Sequence, residues 1–107
     1  MSFSKIFVRD FRSLATRESG AVARELVLER LRDSTSVVID FTDAHPTPSF
    51  ADEFLGRLVE SLGEVGFRAS IKVQGADAET RPLLQQVITR RLHRPARGPA
   101  TSALEVA

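Results

Sequence analysis

The sequence predicts a two-layer α/β domain: a short, mainly parallel sheet with its helices on one face. Three observations carry this reading. Strand-like runs and runs of helical periodicity alternate three times along the chain, which implies parallel strands joined by right-handed crossovers. The third strand-like run alternates apolar with polar residues, so one face of the sheet meets water; a sheet covered on both faces would read as continuously apolar there. At 107 residues the chain can bury one core and is too short for two. If strand order follows chain order, every helix must lie on the same face.

Each element has its own justification. Phe3 to Phe11 contains Ile6-Phe7-Val8 and reads as the opening strand, with Arg12 to Ala15 as a connection. Thr16 is placed to cap a helix over Arg17 to Arg32, whose apolar side is Ala23, Leu26, Val27, Leu28 and Leu31. Ser36 to Phe41 is rich in β-branched residues, and Val37, Ile39 and Phe41 alternate with Ser36, Val38 and Asp40. The loop from Thr42 to Pro48 holds two prolines, which stiffen it. Ser49 is then expected to cap the central helix, with Asp52 completing an approximate capping box.

That helix has the cleanest pattern in the chain. Phe50, Ala51, Phe54, Leu55, Leu58, Val59 and Leu62 share one face, and Asp52, Glu53, Gly56, Arg57 and Glu60 the other. Gly63 and Gly66 are expected to end it. Arg68 to Val73 reads as the third strand, with Ala69, Ile71 and Val73 opposite Arg68, Ser70 and Lys72. The last helix carries Leu83, Leu84, Val87, Ile88 and Leu92 at helical spacing. Its cap is either Asp77, with Pro82 slightly late in the first turn, or Thr80, with a better-placed proline. From Pro95 onward the periodicity is lost. The expected organisation is therefore one domain over 1–94 and a disordered tail over 95–107.

Composition narrows the function classes. Fifteen basic residues face 14 acidic ones, which argues against a polyanion or a membrane surface as main partner. The absence of cysteine excludes disulfides, thiolate metal sites and cysteine nucleophiles, and suits a reducing cytosol. The opening residues lack the long apolar stretch of a signal peptide, and no segment has the length of a transmembrane helix. The expectation is a soluble cytoplasmic protein.

The predicted topology gathers all strand-to-helix loops at the carboxyl ends of the strands, together with three helix N-termini. Arg12, Thr16, Arg17, Thr42, Asp43, His45, Thr47, Ser49, Asp52, Gln74 and Asp77 collect on that rim. Asp43, His45 and Ser49 are the residue types of a hydrolytic triad, but they crowd one loop without a nucleophile elbow or oxyanion hole. His45 and His93 are the only histidines and are not spaced as metal ligands. Asp52 and Glu53 project about 100° apart on a helix, so they do not face each other as an acid–base pair. Asp40 is expected to have a structural role, with Arg17 as a candidate partner. The basic run Arg90, Arg91, His93, Arg94 and Arg97 suits a helix C-terminus and a solvated tail. No cofactor or metal is expected, and no catalytic residue is assigned.

Val38-Ile-Asp-Phe-Thr followed, after the Pro-containing loop, by Ser49-Phe-Ala-Asp-Glu-Phe-Leu-Gly resembles the STAS-like domain family of unknown function. Thr16-Arg17 and Arg81-Pro-Leu-Leu-Gln-Gln-Val-Ile are similar to that family as well, so the resemblance runs from about residue 5 to 93. It implies a regulatory module related to anti-sigma-factor antagonists, which bind a histidine-kinase-like ATPase and are switched by phosphorylation of a serine at the start of the central helix. Laid on this chain, the acceptor position of the relatives' Asp-Ser-Ser-Gly pattern falls on Phe50. Ser49, one position earlier, is the candidate phosphorylation site.

The expected function is a non-enzymatic protein-interaction module in bacterial signalling or transcriptional control. Its expected partner-binding residues are Arg17, Thr42, Asp43, His45, Thr47, Ser49, Asp52, Glu53, Gly56, Arg57 and Glu60. No nucleic-acid or membrane partner is expected, and the open sheet face leaves homodimerisation open. The alternative is a sensor that holds an anion or nucleotide at the helix N-termini of the rim.

Overall fold

The structure, a computed structural model, describes residues 2–92. The expected tail over 95–107 lies outside the described residues, as do His93, Arg94 and Arg97 of the basic run. Strands β1 (Phe3–Phe7), β2 (Ser36–Asp40) and β3 (Ile71–Gln74) form one sheet in the order β1-β2-β3, with both pairs parallel. Strand order follows chain order, which meets the condition under which every helix lies on the same face.

Helix α1 (Arg17–Arg30) connects β1 to β2. The central helix connects β2 to β3 in three parts: α2 (Pro48–Ala51), a π-helical segment (Asp52–Gly56) and α3 (Arg57–Ser70). Helix α4 (Thr80–Leu92) follows β3. Helices α1 and α4 both pack on the central helix, which itself lies on β2 and β3. The side chains Ile6, Val37, Ile39 and Ile71 are buried beneath them, whereas Phe3, Lys5 and Lys72 are exposed. The sheet is thus covered on one face only.

The centre of the core is aromatic. Phe54 meets Phe50 with ring centroids 5.6 Å apart, Phe11 at 6.2 Å in an edge-to-face arrangement, and Phe41 at 6.4 Å. These rings come from the first connection, the end of β2 and the first turns of the central helix. Their burial ties the loop side of the domain to the helix that follows it. The predicted apolar face of the central helix is fully buried except for Leu62, which is half-buried.

Several boundaries differ from expectation, each for a local reason. β1 stops at Phe7, because Val8–Asp10 tighten into a 3₁₀ turn that buries Val8. The cap of α2 is Thr47 and not Ser49: its hydroxyl accepts from the Phe50 N–H at 3.2 Å. Pro48 forces Thr47 into extended geometry and is itself favoured at the first helical position, so the helix starts two residues earlier than a Ser49 cap would place it. The capping box is absent, since Asp52 is engaged by arginines.

Gly63 breaks the central helix, with φ 76° and ψ 166°, but the chain turns helical again and continues to Ser70. Arg68 and Ser70 therefore belong to a helix end, and β3 starts only at Ile71. Asp77 provides the α4 cap, accepting from the Thr80 N–H at 2.7 Å.

Gly63 and Gly75 both adopt positive φ, but for different reasons. A Cβ on Gly63 would meet nothing within 4 Å, whereas one on Gly75 would lie 2.5 Å from Asp40 Oδ1 and from Thr42 Oγ1. In urea unfolding, Gly63→Ala should cost about 2 kcal/mol of backbone strain. Gly75→Ala should cost clearly more, because the clash adds to the strain. Equal costs would contradict the close approach of Gly75 to the end of β2.

Candidate functional site

The loop from Thr42 to Thr47 is built by alternation. Phe41, Ala44 and Pro46 are buried, and Thr42, Asp43 and His45 point outward between them. The Ala44 N–H donates to the Phe41 carbonyl at 3.0 Å, closing a turn that places Asp43 at φ 58°. Thr47 fastens the far end: its N–H donates to the Leu14 carbonyl at 2.9 Å and its hydroxyl to the Ala15 carbonyl at 3.0 Å. The loop is pinned at both ends and displays three polar side chains.

Neighbouring elements complete the rim. Arg9 pairs with Asp43 at 3.3 Å. His45 Nε2 lies 2.9 Å from Asp77 Oδ2, linking the loop to the start of α4. Hydrogen bonds from the Thr80 backbone and side chain lower the Asp77 carboxyl below its ordinary value, with a contribution from His45. Ser49 lies half-buried in the first turn of α2, and its side chain makes no hydrogen bond among the described residues.

Asp40 at the end of β2 has a structural setting, but its partner is not Arg17. Its Oδ1 accepts from the Thr42 N–H at 2.8 Å, its Oδ2 accepts from Gln74 at 3.1 Å, and Lys5 is 3.6 Å away. Hydrogen bonds from Thr42 and Gln74 hold its carboxyl far below the ordinary range, against the opposing effect of burial. It locks the loop to β3.

The polar flank of the central helix is not the open surface that its sequence pattern predicts. Arg91 of α4 reaches across to Asp52 at 2.7 Å and also pairs with Glu60. Arg24 of α1 contacts Glu53 at 3.0 Å and donates to the Glu53 carbonyl at 2.8 Å. Arg17 reaches both Asp52 and Glu53, at 3.3 and 3.5 Å. Only 13% of the Asp52 side chain and 8% of the Arg91 side chain stay exposed. Burial alone would raise the Asp52 carboxyl, but hydrogen bonds from Arg91 and Arg17 bring it below its ordinary value.

Close packing makes these pairs reachable. Gly20 of α1 lies against the Phe50 carbonyl, and Gly56 lies under Asp52 and Arg91, where a Cβ would be 2.8 Å from Asp52 Oδ1. The π-helical segment is closed by the Arg57 N–H reaching the Asp52 carbonyl five residues back.

The structure thus divides the expected partner-binding residues. Thr42, Asp43, His45, Thr47 and Ser49 lie along the pinned loop and the first turn of α2, and Arg17, 59% exposed, opens α1 two residues after the Ala15 carbonyl that Thr47 holds. Asp52, Glu53, Gly56 and Glu60 are occupied inside the molecule, while Arg57, 48% exposed, remains at the surface. Sequence reasoning missed a groove of about 320 Å³ beside the rim, lined by Phe11, Arg12, Ser13, Glu18, Ser19 and Val22. Its signal was Val22, an apolar residue off the buried Gly20–Ala23–Val27 stripe of α1. No group of three or more side chains suited to hold a metal ion occurs among the described residues. No helix among them is long and apolar enough to cross a membrane.

The fold and the rim define a small parallel α/β module that displays one pinned loop between capped helices. A family model described as a STAS-like domain of unknown function matches residues 19–81, from α1 to the start of α4, and the chain belongs to that family. The matched span is narrower than the resemblance over residues 5 to 93. Comparison with curated proteins and with solved structures returned no match.

Removing Arg91 tests the internal network. Arg91→Ala should lower stability by about 3 kcal/mol at neutral pH, because two carboxylates lose their buried partner. A carboxyl lowered in the folded state adds stability above its unfolded pKa, near 3.8, and loses it as pH falls through the folded value. The advantage of the native protein over Arg91→Ala, measured by urea unfolding, should therefore shrink below about pH 4. An advantage unchanged down to pH 2 would contradict the pairing.

Proposed function

We propose that this STAS-like chain is a non-enzymatic regulatory interaction module, similar in role to an anti-sigma-factor antagonist. In this reading it binds a kinase-like ATPase partner in bacterial signalling or transcriptional control and works in the cytoplasm. The observation that supports the reading best is the pinned loop with Thr42, Asp43 and His45 turned outward. A surface held rigid before contact loses little entropy on binding, which favours protein recognition. The docking surface comprises this loop, Ser49, Arg17 and the adjoining groove at Phe11 and Val22.

The helix starts favour this reading over the anion or nucleotide sensor. Thr16, Thr47 and Asp77 each spend a side chain on N–H groups of their own helix, which leaves fewer donors for a bound anion. Asp77 also adds negative charge at the third. His45 engages Asp77 rather than a serine, so its geometry supports a contact surface more than hydrolysis. Phosphorylation of Ser49 would place a dianion near Asp52 and within the reach of Arg17, altering the charge of the surface a partner meets.

The test is calorimetric binding to purified kinase-like ATPases of the histidine-kinase fold, taken from the neighbouring genes where these encode one. Asp43→Arg should weaken the complex at least about tenfold. Incubation with that partner and ATP should add the mass of one phosphate, and Ser49→Ala should abolish the addition. A complex indifferent to Asp43→Arg, or no complex at all, would overturn the reading.

A further inference from the structure

On the side of the domain formed by β3 and α4, a groove of about 390 Å³ is lined by Val73 and Gly75 on one wall and by Arg81, Leu84, Gln85 and Ile88 on the other. Residues 81, 84, 85 and 88 are one face of α4. That helix packs on the central helix rather than tightly on β3, which leaves the gap. The groove floor is apolar, because Val73, Leu84 and Ile88 all reach the core from it.

The strand wall is a sheet edge. β3 is the last strand in the order, and the Phe41 N–H donates to the Gln74 carbonyl at 2.8 Å. In a parallel ladder alternate residues turn their backbone groups to the same neighbour. Gln74 and Lys72 therefore face β2, and Val73 directs its N–H and C=O outward, with no partner for them among the described residues. Such an edge is a template for another strand.

We propose that this groove binds an extended peptide segment of a protein partner, which adds to the edge of β3 and inserts side chains against α4. The spacing fits. Alternate side chains of an extended strand step about 6.8 Å, close to the ~6 Å rise from Leu84 to Ile88 along α4. Two alternate apolar residues of the peptide would fill the positions beside Leu84 and Ile88.

Charge fixes the next position. Arg81 is the only charged side chain lining the groove among the described residues. It forms no ion pair with any of them and makes one long contact to the Ala76 carbonyl, 3.4 Å. The peptide recognised is therefore apolar at two alternate positions and acidic at the one that meets Arg81. Main-chain pairing supplies affinity and the α4 face supplies selectivity, the division of labour of strand-addition sites.

The full chain, wild type and Arg81→Glu, would be panned against a random heptapeptide library displayed on phage. Enriched peptides, made synthetically, would be titrated into isotope-labelled protein. Support would be an enriched pattern of alternating apolar residues with an acid, amide shifts over Val73–Ala76 and Arg81–Ile88, and at least a tenfold loss in Arg81→Glu that an acid-to-lysine peptide restores. Arg81 is exposed, so its substitution leaves the core intact. No enrichment, shifts that map elsewhere, or binding indifferent to Arg81→Glu would overturn the proposal. So would a dimer joined through two β3 edges, seen by sedimentation of the chain alone. The readout needs no kinase-like ATPase, so this site and the rim stand or fall separately.

Discussion

The constraint on which the structure depends is the packing of the first turns of the central helix between the sheet, α1 and α4. Its apolar face settles on the sheet through Phe50, Phe54, Leu55, Leu58 and Val59. Its acidic flank could not simply be left between two neighbouring helices, because a carboxylate taken from water without a partner is costly. Arg17 and Arg24 from α1 and Arg91 from α4 make the enclosure tolerable. Gly20 and Gly56 let those helices approach closely enough for the pairs to form.

From that enclosure follows where function can reside. A helix whose charged flank is satisfied internally has little left to offer a partner, so the available chemistry moves to the rim above it and to the groove beside it. At the rim, Asp40 locks the loop to β3 from below and Thr47 locks it to the first connection. The outward residues Thr42, Asp43 and His45 thereby acquire fixed positions without any of them being part of the core. The same reasoning explains the lateral groove: α4 is drawn to the central helix by Arg91, and β3 is left with an open edge.

What the sequence disclosed, and what it withheld, follows from the range of the interactions. Strand β2, the apolar face from Phe50 to Leu62, the Thr16 cap and the parallel sense of the strands all rest on periods of two or 3.6 residues and on chain connectivity. Those are local signals, and they were legible. The Thr47 cap is also local, and the Thr47-Pro48 pair is its sign; Ser49 competes for the role because its side chain is an equally good capping group. The ion pairs are another matter. Arg24 with Glu53 and Arg91 with Asp52 join residues 29 and 39 positions apart, and nothing in one sequence announces which arginine meets which acid. A polar stripe on an amphipathic helix reads as solvent-facing by default. Here it faces two other helices, and Gly20 and Gly56 were the residues that could have warned of it. The break at Gly63 without termination, and with it the late start of β3, has no local signature beyond the glycine itself.

The most direct test of this account is a double-mutant cycle between Arg24 and Glu53, read by urea unfolding. If the acidic flank is enclosed, the pair should show a coupling above about 1 kcal/mol. A coupling below about 0.3 kcal/mol, the value of an ordinary surface pair, would mean that the flank faces solvent and is free for docking after all.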